Sequence, residues 1–161
     1  MTTKFFGILA AIVAFATLGV ATEALAQGRT KVGSLTCNLA PSVGFIIGSN
    51  TRLACTFNPD LPGPPEVYVG SLRTAGLNIG FKGAGRMIWA VLAPTNGYAH
   101  GALAGRYVGA SADVAVGLGL GANALVGGSH RSIALQPVSV EANTGVDLFA
   151  GVSELRLRFA H

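Results

Sequence analysis

Apolar and polar residues alternate with a period of two over several short stretches of this 161-residue chain. The clearest are KVGSLTC (31–37), EVYVGSL (66–72), NIGFKG (78–83), RMIWAVLAP (86–94), RYVGASADVAVGLGLG (106–121), RSIALQPVSVEA (131–142) and GVDLFAGVSELRLRF (145–159). Each is rich in branched or aromatic residues and bounded by turn formers, the signature of strands. No window long enough for a helix keeps an apolar i, i+3, i+4 pattern free of glycine. Breaks fall at NPDLPGPP (58–65), Asn96-Gly97, Gly127-Gly128-Ser129 and Asn143-Thr144-Gly145. Their spacing predicts an all-β domain of roughly eight to ten strands. A small closed or nearly closed antiparallel barrel is expected, since closure protects strand edges.

The stretch ADVAVGLGLGANALVGG (112–128) holds Gly117, Gly119 and Ala122 in the order G-x-G-x-x-A, with Glu141 downstream. A dinucleotide loop needs those glycines to close a strand and open a helix that receives the pyrophosphate. Here Val114, Val116, Leu118 and Leu120 alternate with Ala115, Gly117, Gly119 and Gly121, so residues 113–121 are predicted as a strand. Gly127-Gly128 would stop a following helix at once. No cofactor is expected. A glycine face lets another backbone, a ring or a lipid chain approach the sheet closely. Gly117, Gly119 and Gly121 are therefore candidate contacts, through close internal packing or beside a ligand groove.

The N-terminus has a different pattern. Lys4 is followed by an apolar run from Phe5 to Val20 and then by Ala24-Leu25-Ala26. A charged start, a short apolar core and a small-x-small site predict a cleaved signal peptide over residues 1–26, with one domain over 27–161. The protein is then periplasmic or secreted, and no helical membrane span is expected in the mature chain. In that chain ten Lys/Arg face six Asp/Glu, scattered without a run, so the formal charge stays at +4. Nucleic-acid binding needs clustered cations and is not expected. A preference for anionic surfaces such as lipid headgroups is what the charge supports. Cys37 and Cys55 are the two cysteines, and an even pair in an oxidising compartment predicts one disulfide.

Two long blocks, KVGSLTCNLAPSVGFIIGSNTRLACTF (31–57) and the stretch from Trp89 to Leu157 with its LVGGSHRSIALQP core (125–137), resemble the DUF992 family of exported bacterial proteins. More distantly, the Gly/Tyr/Val strand, the IALQPVSV segment and the terminal GVDLFAGVSELRLRF are similar to small envelope-integrity barrels (DUF1134-like) and to lipid-binding SYLF domains. What these resemblances imply is a periplasmic barrel with affinity for an envelope lipid or an envelope protein. No catalytic residue carries over.

Candidate chemistry is sparse. A hydrolase needs a nucleophile, a base and an orienting acid. His100 and His130 are candidate bases, with Asp113, Glu141 or Asp147 as the acid, but no G-x-S-x-G elbow is present. An imidazole within about 3 Å of both a carboxylate and a serine hydroxyl would make that case. Three histidines without zinc spacing predict no metal site. Tyr98 and Tyr107, with Trp89, flank LAPTNGYAHGALAGRY (92–107) and are candidate ligand contacts, since such rings combine apolar area with a polar handle. The leading expectation is a non-catalytic exported barrel that supports envelope integrity. An outer-membrane barrel is the alternative, suggested by alternating Leu155, Leu157 and Phe159. Aromatics are only 7% of the chain, and such barrels need aromatic girdles, an apolar outer band and a polar interior.

Overall fold

The computed structural model describes residues 28–44, 48–75, 80–82, 84–94, 97–110, 115, 117–121, 123–142 and 152–160. Residues 1–27, where the signal peptide is predicted, lie outside the described residues, as do Asp113, Asp147, Asn96 and the predicted turn at 143–145. Ten strands follow in chain order: β1 (Arg29–Leu39), β2 (Ser42–Gly44), β3 (Gly48–Pro59), β4 (Glu66–Ala75), β5 (Gly80–Lys82), β6 (Gly85–Pro94), β7 (Gly105–Gly109), β8 (Leu125–Gly127), β9 (Ile133–Ala142) and β10 (Val152–Phe159). Eight of them close a barrel in the order β1-β3-β4-β10-β7-β8-β9-β6, and β2 pairs with β5 in a small separate sheet. The described strand pairings are antiparallel.

Alternation sets the inside and the outside. Leu35 and Cys37 of β1, Leu53, Cys55 and Phe57 of β3, Tyr68 and Leu72 of β4, and Met87, Trp89 and Val91 of β6 point inward with Tyr107, Leu125, Leu135, Leu155 and Leu157. An eight-stranded barrel is just wide enough for side chains to fill, and these fill it. Cys37 and Cys55 stand opposite each other in the β1–β3 register and form the predicted disulfide. The neighbouring outward positions carry Arg52, Arg73, Arg106, Arg156 and Arg158. The packed apolar interior is the opposite of the polar lumen of an outer-membrane barrel.

The glycine-rich stretch departs from its predicted form. β7 ends at Gly109, and among the described residues of 111–121 there is no strand; Ala115 and Gly117 are helical. The Leu120 N–H donates to the Ala115 carbonyl at 2.7 Å, and Gly119 between them has φ +66°. That six-residue closure with a left-handed glycine is how a helical turn is capped. Leu118 and Leu120, two of the apolar residues that suggested a strand face, instead pack on the barrel from outside. Leu120 and Ala124 bury Ala134 of β9, with Leu92, Leu118 and Val126 packed around them.

Candidate binding surfaces

The first surface lies on the outer wall formed by β3, β4, β10 and β7. Strand pairing aligns Arg52, Ser71, Arg156 and Arg106 in one row across these four strands. The next row runs Leu53, Gly70, Leu157 and Gly105, and beyond it Arg158 stands opposite Val69. Leu53 and Leu157 turn their side chains into the core and the other two members are glycine, so the middle row offers mainly backbone to the outside. The result is a groove of about 1000 Å³ lined by Arg52, Arg106, Arg156 and Arg158. At about 4.8 Å per strand, the row from Arg52 to Arg106 spans roughly 14 Å.

Glu154 sits at one edge of this wall, its side chain 7% exposed. Arg106 reaches it with Nε at 2.7 Å and with Nη2, and Arg156 reaches its other oxygen through Nε. Hydrogen bonds from Arg156 and then Arg106 hold its carboxyl below the ordinary value, against the opposing effect of burial. One carboxylate thus offsets part of the charge of two arginines. Arg73 stands opposite Glu154 in the register. Among the described residues neither Arg52 nor Arg158 has a carboxylate partner. The cations are scattered along the chain, as the sequence indicates, but in space five of them share one face.

The second surface is a cleft of about 630 Å³ at the barrel end where β1 and β4 begin and β3 and β6 finish. Pro59, Leu61, Pro62, Pro64 and Pro94 wall it with Val32 and Tyr98. Lys31 and Asp60 form an ion pair at 2.9 Å on its rim. Glu66, 6% exposed, is its buried charge. It accepts hydrogen bonds from the Tyr68 hydroxyl, from the Gly101 N–H at 3.3 Å and from His100 Nδ1 at 2.7 Å. The His100 ring also stands edge-on to Phe159 with centroids 4.8 Å apart, and its side chain is 64% exposed. Burial, and then the Glu66 hydrogen bond, push the Tyr68 hydroxyl up strongly, so it stays a donor.

The predicted contact residues separate. Tyr98 lines the cleft, half-buried, with its ring edge-on to Phe57 at 5.5 Å. Burial raises its hydroxyl first, and the charges of Glu66 and Asp60 raise it further. Tyr107 is fully buried and its hydroxyl donates to the Leu103 carbonyl at 2.8 Å. A Cβ on Gly128 would come within 2.7 Å of that hydroxyl. Tyr107 is a core residue with a satisfied polar end, as burial of tyrosine requires. Gly117 and Gly119 are exposed in the helical turn, and the Gly121 N–H donates to Gln136 Oε1 at 2.7 Å. A Cβ on Gly117 or Gly119 would meet no atom within 4 Å, so neither glycine makes room for close packing.

His100 meets half of the geometric condition for a hydrolase. Its carboxylate partner is Glu66, a residue not among the predicted acids, and among the described residues no serine hydroxyl joins it. His130 is exposed in the 3₁₀ turn Ser129–Arg131, with φ +55°. The described residues contain no group of three or more His, Cys, Asp or Glu able to hold a metal.

Fold and surfaces together define a small closed β-barrel with a packed apolar interior, a basic groove on its wall and a separate cleft at its end. The chain belongs to the family described as "Protein of unknown function (DUF992)", whose profile matches residues 16–158. No curated protein and no solved structure matches it.

Proposed function

We propose that this protein is an exported, non-enzymatic barrel that docks through its arginine wall on anionic headgroups of the cell envelope and supports envelope integrity there. The observation that carries the reading is the cross-strand row of Arg52, Arg156 and Arg106 with Arg158 beside it, accompanied by a single carboxylate, Glu154. Guanidinium groups pair with phosphate in a planar, two-pronged geometry that ammonium groups do not match. A short-strand wall with a glycine-floored groove lets a headgroup approach the backbone between the arginines. Export is supported by the charged, apolar and small-x-small order of residues 1–26. No helix among the described residues is long and apolar enough to cross a membrane.

Co-sedimentation of the mature chain with phosphatidylglycerol-containing vesicles and with pure phosphatidylcholine vesicles tests this. Binding is expected for the anionic vesicles alone, weakening as salt rises. The Arg52→Ala/Arg158→Ala pair removes two exposed cations and is expected to cut binding roughly tenfold or more, at about 1 kcal/mol per basic residue near an anionic surface. Equal binding to both vesicle types would refute the reading, as would a double variant that binds like the wild type.

A further inference from the structure

We propose that the cleft at the end of the barrel is a second, independent binding site, and that its ligand is a small cation with an apolar body: a primary amine carried on an aromatic or branched aliphatic group.

The walls set the apolar half of the ligand. Pro59, Pro62, Pro64 and Leu61 face Tyr98 across a space of about 630 Å³, within the range that takes a drug-sized molecule. Leu61 is 72% exposed there, an apolar side chain with one face uncovered. The Tyr98 ring is braced edge-on by Phe57, so a flat or branched apolar group would lie between a fixed ring and the proline-rich β3–β4 connection.

The charge sets the other half. Lys31 and Asp60 cancel each other at the rim. Glu66 has no such cancellation: the Tyr68 hydroxyl and the Gly101 N–H are neutral donors. Its third partner, His100, adds no positive charge while the imidazole is neutral. Arg29, at the start of β1, is not part of the cleft lining. With the imidazole neutral, the cleft lining holds one negative charge that none of its cations cancels, in a partly dry setting where a charge acts more strongly than in water.

His100 delivers the charge to the ligand. With a carboxylate accepting at Nδ1, the ring hydrogen sits on Nδ1 and Nε2 is left as an acceptor. The Nδ1 edge faces Glu66 and Phe159 braces the ring, which leaves Nε2 on the edge away from the carboxylate in a side chain that is largely exposed. One N–H of an ammonium group donating to Nε2 completes a chain of ammonium, imidazole and carboxylate.

Three probes of matched chain length separate charge from shape: 3-phenylpropylamine, 3-phenylpropanol and 3-phenylpropanoate, titrated by calorimetry into the mature wild-type chain. The amine is expected to bind at least tenfold tighter than the carboxylate, with the alcohol between them. A carboxylate that binds as tightly as the amine, or no saturable binding of the amine at millimolar concentration, overturns the proposal. Glu66→Gln keeps an oxygen acceptor for Tyr68 and Gly101 and is expected to abolish the preference for the amine. Persistence of the preference in a folded Glu66→Gln protein would overturn it too. If that variant does not fold, the wild-type series decides alone. Tyr98→Ala is expected to weaken all three probes alike, because it removes wall and leaves the charge. The arginine wall takes no part in these titrations, so their outcome is separate from vesicle binding.

Discussion

Glu66 and Glu154 are both nearly buried carboxylates, yet their surroundings give opposite surfaces. Glu154 is held by two arginines, and the arginines around it outnumber it, so the wall stays basic. Glu66 is held by a phenol, an amide and an imidazole, so its charge survives into the cleft. Burial of a carboxylate does not decide the sign of a site; the charge of its hydrogen-bond donors does. The frames differ as well. The groove is cut into paired strands, while the cleft is walled largely by the β3–β4 connection and the turn after β6.

That difference in frame predicts the largest effect. A Cβ on Gly70 would lie 1.8 Å from the Arg156 carbonyl oxygen, a backbone atom fixed by the β4–β10 pairing. Gly70→Ala must force the strands apart, at a cost of about 3 kcal/mol or more by overpacking, and the melting temperature should fall sharply or folding should fail. Gly63, in the cleft wall, has its nearest neighbour for a Cβ at 3.6 Å. Gly63→Ala should stay within about 0.5 kcal/mol of the wild type. Equal costs for the two would remove the distinction between a sheet-built and a loop-built site.

The charges themselves predict an intermediate effect. Glu154→Gln removes the one carboxylate on the basic wall, so anionic vesicles should bind several-fold more tightly, while the amine preference of the cleft should not change. Its stability effect has a defined pH dependence. Arg156 and Arg106 lower the Glu154 carboxyl from its ordinary value of 4.5. A carboxylate lowered on folding adds stability that is fully present above the unfolded value and lost as pH falls through the folded one. Wild type and Glu154→Gln should therefore differ in stability by a constant amount above about pH 4.5 and converge below it. A gap that widens on acidification would contradict the ion-pair assignment.

Much of the frame was readable in the residue pattern, and the surfaces were not, for a physical reason. Strands β5, β9 and β10 fall within segments singled out by alternation, β1, β4, β6 and β7 overlap such segments, and the disulfide follows from an even pair of cysteines behind a predicted export signal. β3 was passed over although Leu53, Cys55 and Phe57 alternate with Arg52, Ala54 and Thr56, because threonine and cysteine dilute the apolar signal. β8, Leu125–Gly127, is three residues long and runs at its last residue into what reads as a break. The basic wall needs the strand order: Arg52, Arg106 and Arg156 come from three separate parts of the chain, and periodicity says which way a side chain points but not which strand lies beside it. The nearest local sign was ELRLRF, whose period of two puts Glu154, Arg156 and Arg158 on one face. Tyr98 is a candidate in the sequence because an aromatic beside a turn is suspect in itself, and it lines the cleft. Glu66 is not, since a single acidic residue next to PGPP gives no sign of being buried.

The smallest effect belongs to the region that joins neither surface. Gly119 looked like part of a strand face, where a valine would collide with its neighbours. In the helical turn it meets nothing within 4 Å, but its φ is +66°. The cost of substitution there is conformational and depends on what the new side chain tolerates. Left-handed backbone costs an ordinary L-residue about 1–2 kcal/mol, and asparagine adopts it readily. Gly119→Val should lose about 1–2 kcal/mol, more than Gly119→Ala, with Gly119→Asn within a few tenths of the wild type. Thermal unfolding of the three variants gives that order. Neither vesicle binding nor the amine preference should follow it, because the turn covers Ala134 and Leu92 on the β6–β9 side of the barrel. A valine variant as stable as the asparagine one would show that residue 119 does not need the left-handed conformation, and would restore the strand as the form of this stretch.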